Sequence, residues 1–259
     1  MMSDSVHSKF IPGIYNYCDR WCERCHRSDR CFLYAKERKR IIEHRQKGEN
    51  PDDWKIIMHD VEESFKETMQ LLHKLAEEQG INLEALKEED YKEYDPNEHP
   101  LYQRAHGYMS KVRKFLERLR DSIQAEGVNL SKHIEALPSP IGEAETLREI
   151  VSCYETISWY HTLVSAKIYR ALTGKMEKSD DKELAQLDQD DADGSAKVAS
   201  KGLVKSMVAL KRIYEWDKDL QDDALTLLVE VERLRKGIDI EFSGHREFKR
   251  PGFEADEVG

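Results

Sequence analysis

Apolar residues spaced three and four apart recur along most of this chain, and that spacing decides which folds are open to it. Between residues 50 and 79 the large apolar side chains Trp54, Ile57, Met58, Val61, Phe65, Leu72 and Leu75 form one buried stripe of a helix turning every 3.6 residues. Asn50 offers an N-cap, Pro51 a first helical position, Asp52 and Asp53 suit the positive end of the dipole, and Gly80 provides a stop. A second helix is predicted over 99–126, turning Leu101, Ala105, Tyr108, Val112, Phe115, Leu119 and Ile123 inward and ending at Gly127. A third, over 142–173 before Gly174, buries Leu147, Ile150, Val151, Tyr154, Ile157, Val164, Ile168 and Leu172. A fourth helical region covers 195–236, with a break at "EWDKDL", where Asp217 or Asp219 can cap a new start. Nothing alternates apolar and polar residues as a strand would. The fold class is therefore all-α, a bundle of about four long helices.

Composition agrees with that class. Hydrophobic residues make up 39% and charged residues 36% of the 259, a balance that suits helices with wide solvated faces. The start, "MMSDSVHSKFIPG", lacks the basic and apolar runs of a secretory signal, and no segment has the ~20 apolar residues that span a bilayer. The expected location is cytoplasmic, with no membrane partner. Thiols stay reduced there, so clustered cysteines point to a metal or redox site rather than to disulfides.

Four of the five cysteines stand in "CDRWCERCHRSDRC", at Cys18, Cys22, Cys25 and Cys31. If this piece is helical, the first three project from one face and Cys31 closes the site from the next turn. Four thiolates satisfy tetrahedral zinc, with His26 as a substitute ligand; compact cysteine runs equally hold iron–sulfur clusters such as [4Fe–4S], and spacing does not decide between the two. Arginines 20, 24, 27 and 30 are expected to favour the thiolate form. Cys22 and Cys25 complete the C-x3-C-x2-C spacing of radical S-adenosylmethionine enzymes, but the strand and helix alternation of their barrels is missing.

The expected organisation is an N-terminal part, 1–49, holding the cysteines and a short basic helix that ends at Gly48. A bundle over 50–240 follows, interrupted by a partly disordered acidic linker at about 175–194, and a tail over 241–259 packs back on it through Phe242, Phe248 and Phe253. Three stretches, "YCDRWCERC", "DADGSAKVA" and "RPGF", resemble ones found together in a group of uncharacterised bacterial all-helical proteins with an N-terminal four-cysteine cluster. That resemblance implies no activity.

Other candidates are weaker. His161 falls on the inner stripe of the third helix near Tyr154, and Asp217 faces inward if the fourth helix is continuous, so an imidazole held by a carboxylate is an available catalytic pair. The only Glu-x-x-His is Glu23 to His26, which disfavours a di-iron carboxylate bundle. Residues 20–47 hold ten Lys/Arg against four Asp/Glu in a chain of net charge −10, so nucleic-acid binding would be confined to that segment and is disfavoured. In "KRPGF", Pro251 and Gly252 suit a turn from which Arg250 can reach a carboxylate or an anion. The leading expectation is a metal-binding bundle with a binding, scaffold or regulatory role toward a protein partner or small ligand, as a monomer or a homo-oligomer. The rivals are an iron–sulfur redox protein or oxidoreductase, and a nucleic-acid binder.

Overall fold

The computed structural model describes residues 9–82, 95–136, 141–176 and 182–254; of "INLEALKEEDYKEYDPNEHP" at 81–100, which the sequence suggests is a short helix and a loop, residues 83–94, like the tail beyond 254, lie outside the described residues. Among them are six α-helices and no strand: α1 (Phe32–Gln46), α2 (Trp54–Gln79), α3 (Pro100–Ala136), α4 (Ile141–Met176), α5 (Lys182–Trp216) and α6 (Gln221–Glu241). The fold is all-α. No helix among the described residues is long and apolar enough to cross a membrane. The chain forms two compact units, one of Met1–Tyr15 with Trp21–Glu93 and one of Asn16–Arg20 with Tyr94–Gly259. Helix α2, read from the sequence as part of the bundle, thus groups with the N-terminal unit.

In that unit α2 starts later than its sequence suggests. Asn50 Oδ1 accepts the amide of Asp52 at 3.1 Å in a local turn, and Asp53 is the N-cap, taking the amide of Lys55 at 2.8 Å. Gly80, at φ 69°, closes the helix in the left-handed conformation that glycine adopts without a side-chain clash. Helices α1 and α2 meet through polar side chains. Lys36 pairs with Glu67, Arg40 donates to Ser64 Oγ at 3.2 Å, and His44 Nε2 lies 3.1 Å from Asp60 Oδ1 while its Nδ1 lies 2.6 Å from Glu49. The expected buried stripe of α2 is, in contrast, exposed. Trp54 and Phe65 are 70% and 68% accessible, and Ile57, Met58, Val61, Leu72 and Leu75 are also exposed. Periodicity identified an apolar face correctly, but α1 lies against the carboxylates beside it.

In the second unit α3, α4, α5 and α6 share one core that runs from Leu101 to Leu119, Ile150 to Leu172, Ala192 to Ile213 and Ala224 to Ile238. The most extensive pairing is α4 with α5. Two expected glycine stops are helix interior instead: α3 continues past Gly127 and α4 past Gly174. At Gly174 a side-chain carbon would stand 3.2 Å from the Asp188 carbonyl, so this glycine admits a close neighbour rather than ending the helix.

Of the acidic linker expected at 175–194, residues 177–181 lie outside the described residues, and the part from Lys182 on is helix, with Ala192 to Ala196 buried. Its charges are held in place. Asp191 takes Arg170 at 2.8 Å, and Gln186 and Gln189 donate to Asp190 and Asp193, each at 2.9 Å and one turn on. Pairing of this kind lets a polar sequence remain helical. The predicted break is present: α5 ends at Trp216 and the Asp217 carboxylate caps the following turn through the amide of Asp219 at 2.8 Å.

Candidate functional site

The cysteine stretch is not the helix on which a shared face would depend. It turns twice, in 3₁₀ geometry over Cys22–Arg24 and Ser28–Arg30. Arg20, at φ 57°, is the one non-glycine residue in the left-handed region among those described. That conformation is sterically unfavourable for a residue with a Cβ, and here it delivers the Arg20 amide to the sulfur of Cys18. Two residues beyond Cys25, the amide of Arg27 reaches Cys25 Sγ at 3.4 Å in the same relation. None of the four cysteines is in a disulfide and all are half-buried, and His26 is exposed between them. Arg24 stacks its guanidinium 4.0 Å from the Trp21 ring. The expected arginine effect is outweighed at Cys18, whose thiol is pushed up by burial despite the Arg20 amide and charge. Among the described residues no group of three or more His, Cys, Asp or Glu side chains is placed to hold a metal ion.

Residues Asn16–Arg20 form a short strap on the second unit. The Asp19 carbonyl accepts the indole N–H of Trp159 at 2.8 Å. Its carboxylate accepts Lys205 Nζ at 3.0 Å and the Tyr160 hydroxyl, which itself accepts Lys205 at 2.6 Å. Lys167 is buried, so its ammonium pKa is lowered, and it donates to the Asn16 carbonyl at 3.2 Å. Tyr17 lies edge-on to Phe248 with ring centres 4.8 Å apart, over Gly194, where a side-chain carbon would come within 2.4 Å of the Tyr17 ring.

The C-terminal tail packs against the same part of α5. Lys197 donates to the Arg246 carbonyl at 3.0 Å and to that of Phe248, and pairs with Glu254 at 3.3 Å. Lys201 and Arg250 reach the other oxygen of Glu254, at 3.1 Å and 3.0 Å. Burial opposes the charge on Glu254, but the amide and guanidinium of Arg250 and the ammonium of Lys201 outweigh it and lower its pKa to about 2. Asp193 packs on the backbone at Gly244. Residues of the three sequence stretches thus come together: Tyr17 and Asp19 of the first, Asp193 to Lys197 of the second, and the turn around Gly252 of the third.

Sequence reasoning missed Asp19, Trp159, Tyr160, Lys167, Lys205 and Glu254. A usable signal existed in Lys197, Lys201 and Lys205, which repeat every four residues and so share one face of α5. Two of them hold the tail and one holds the strap. The catalytic candidates behave differently. His161 is buried, its Nδ1 lies 2.7 Å from the Ser158 carbonyl, and burial pushes its imidazole below the usual range. Asp217 is a helix cap, no hydrogen bond or ion pair joins it to His161, and Tyr154 packs partly buried on the core. Comparison with known protein families, curated proteins and solved structures finds no match for this chain.

Proposed function

We propose that Cys18, Cys22, Cys25 and Cys31 bind one metal ion as thiolates, zinc being the leading choice, and that the protein works as a metal-stabilised binding scaffold rather than as a catalyst. The observation that carries this reading is the pair of backbone amides aimed at sulfur from two residues downstream, Arg20 to Cys18 and Arg27 to Cys25. An N–H directed at sulfur favours the anionic thiolate over the thiol, and at Cys18 it opposes the larger upward push of burial. Four thiolates around a divalent cation carry net negative charge, which these amides and the nearby arginines offset. Keeping Arg20 in a left-handed conformation has a steric cost, so its presence at a donor position supports a role for that sulfur.

The same sulfur-directed amides would suit an iron–sulfur cluster, whose potential they would tune. Metal analysis and an absorption spectrum of anaerobically purified protein separate the two. A colourless protein with one zinc per chain supports the proposal, and brown colour with iron and sulfide supports the redox reading. Neither metal in carefully reduced protein would sink both. The nucleic-acid reading loses support because Lys36 and Arg40 on the basic helix are already paired with carboxylates of α2. Weak binding that falls steeply with salt is all it predicts.

A further inference from the structure

The exposed face of α2 has the form of a self-association seam. Trp54, Met58, Val61, Phe65, Thr68, Leu72 and Leu75 follow one another at alternating steps of four and three residues, the heptad pattern of a coiled coil carried through the 26-residue helix. Six of the seven are apolar and none is charged. Pairing along this seam therefore buries no unmatched ion, in either helix direction. Asp60, Ser64 and Glu67 lie off the seam and already hold Arg40, His44 and Lys36 of α1, so the hairpin is internally satisfied on its polar side.

Among the described residues the seam and its apolar flank are exposed. Trp54 and Phe65 are about two-thirds exposed, and Ile57, Met58, Val61, Met69, Leu72 and Leu75 lie between 39% and 50%. With ordinary side-chain areas these fractions amount to roughly 800–900 Å² per chain, against about 800 Å² hidden by each partner in a stable protein interface. Monomeric proteins seldom leave so large an apolar patch uncovered. A heptad seam is complementary to another copy of itself, which closes a two-fold pair without a second kind of surface.

We propose that this protein forms a homodimer in which the α2 seam packs on the α2 seam of a second copy. No cysteine lies on the seam, so the inference stands apart from the metal reading. The test is sedimentation equilibrium of the full chain in reductant, with and without chelator, across the micromolar range. The expected species has twice the 30.3 kDa chain mass under both conditions. Phe65→Glu should weaken association at least about tenfold with an unchanged far-UV spectrum, and Leu72→Lys provides the same test should Phe65→Glu misfold. Thr68→Leu should tighten association severalfold by removing the one polar seam position, while Gln70→Glu on the opposite side should change nothing. A monomer throughout the range overturns the proposal, and if Phe65→Glu then lowers its melting temperature, another segment of the same chain covers the seam. A dimer indifferent to both seam variants, or lost on chelation alone, also overturns it.

Discussion

At Gly194 the absence of one carbon atom decides how three distant segments meet. A Cβ there would stand 2.4 Å from the Tyr17 ring and 2.9 Å from that of Phe248, closer than packed carbon atoms approach. Gly194→Ala should therefore destabilise the protein by about 1–3 kcal/mol through overpacking, although alanine is the better helix former by up to about 1 kcal/mol. In a Tyr17→Ala background the closer of the two rings is gone and only Phe248 still crowds the added carbon, so the same substitution should cost less. Urea unfolding of the four-member cycle measures that difference; equal effects in both backgrounds would rule Tyr17 out as the source of the strain. The cysteines divide in a comparable way. Cys153 packs partly buried against the core, so Cys153→Ala should keep the full metal content, whereas Cys22→Ser should lower it.

The α1–α2 pairing turns on His44, whose imidazole is held above its ordinary range by Glu49 and, after an opposing effect of burial, by Asp60. The folded state thus binds this proton more tightly than the unfolded chain. That stability is fully present below the unfolded pKa of about 6.5 and is lost as pH rises through the folded value. Hydrogen exchange of α1 amides should speed up over that interval, and His44→Gln should flatten the profile. Glu254 works in the other direction. Its stabilisation is complete above the ordinary carboxylate range of about 4.3 and fades as pH falls toward about 2, so acid should release the tail around Gly252 from α5. In Glu254→Gln the tail should be looser at neutral pH and the acid transition absent; an unchanged transition would assign it to another carboxylate. The stop at Gly80 and the break at Asp217 were legible because each has local backbone chemistry. Gly127 and Gly174 misled because a glycine inside a helix also serves close packing, and for α2 the periodicity revealed an apolar face but not what lies against it.

For the whole molecule, the all-α class could be read from spacing alone, whereas the meeting of residues 16–20, 193–201 and 244–254 could not, because those stretches communicate only through the packed helices. Local sequence placed the four cysteines in one run, and the shared face they would present on a helix is not formed, because the chain makes two 3₁₀ turns there. The buried core of the second unit is built from α3 to α6 with Leu220 and Phe242, and none of residues 21–31 belongs to it. Metal-binding free energy is folding free energy only for the segment that the metal orders. Chelation of the reduced protein, or Cys22→Ser, should therefore speed amide exchange around residues 21–31 while the buried turns of α4 and α5 stay protected and the helical signal is retained. Exchange followed by mass spectrometry reads both regions in one experiment. Loss of protection at Ile157, Val164 and Leu203, all fully buried, would mean that the cysteine segment and the helical core unfold as one cooperative unit.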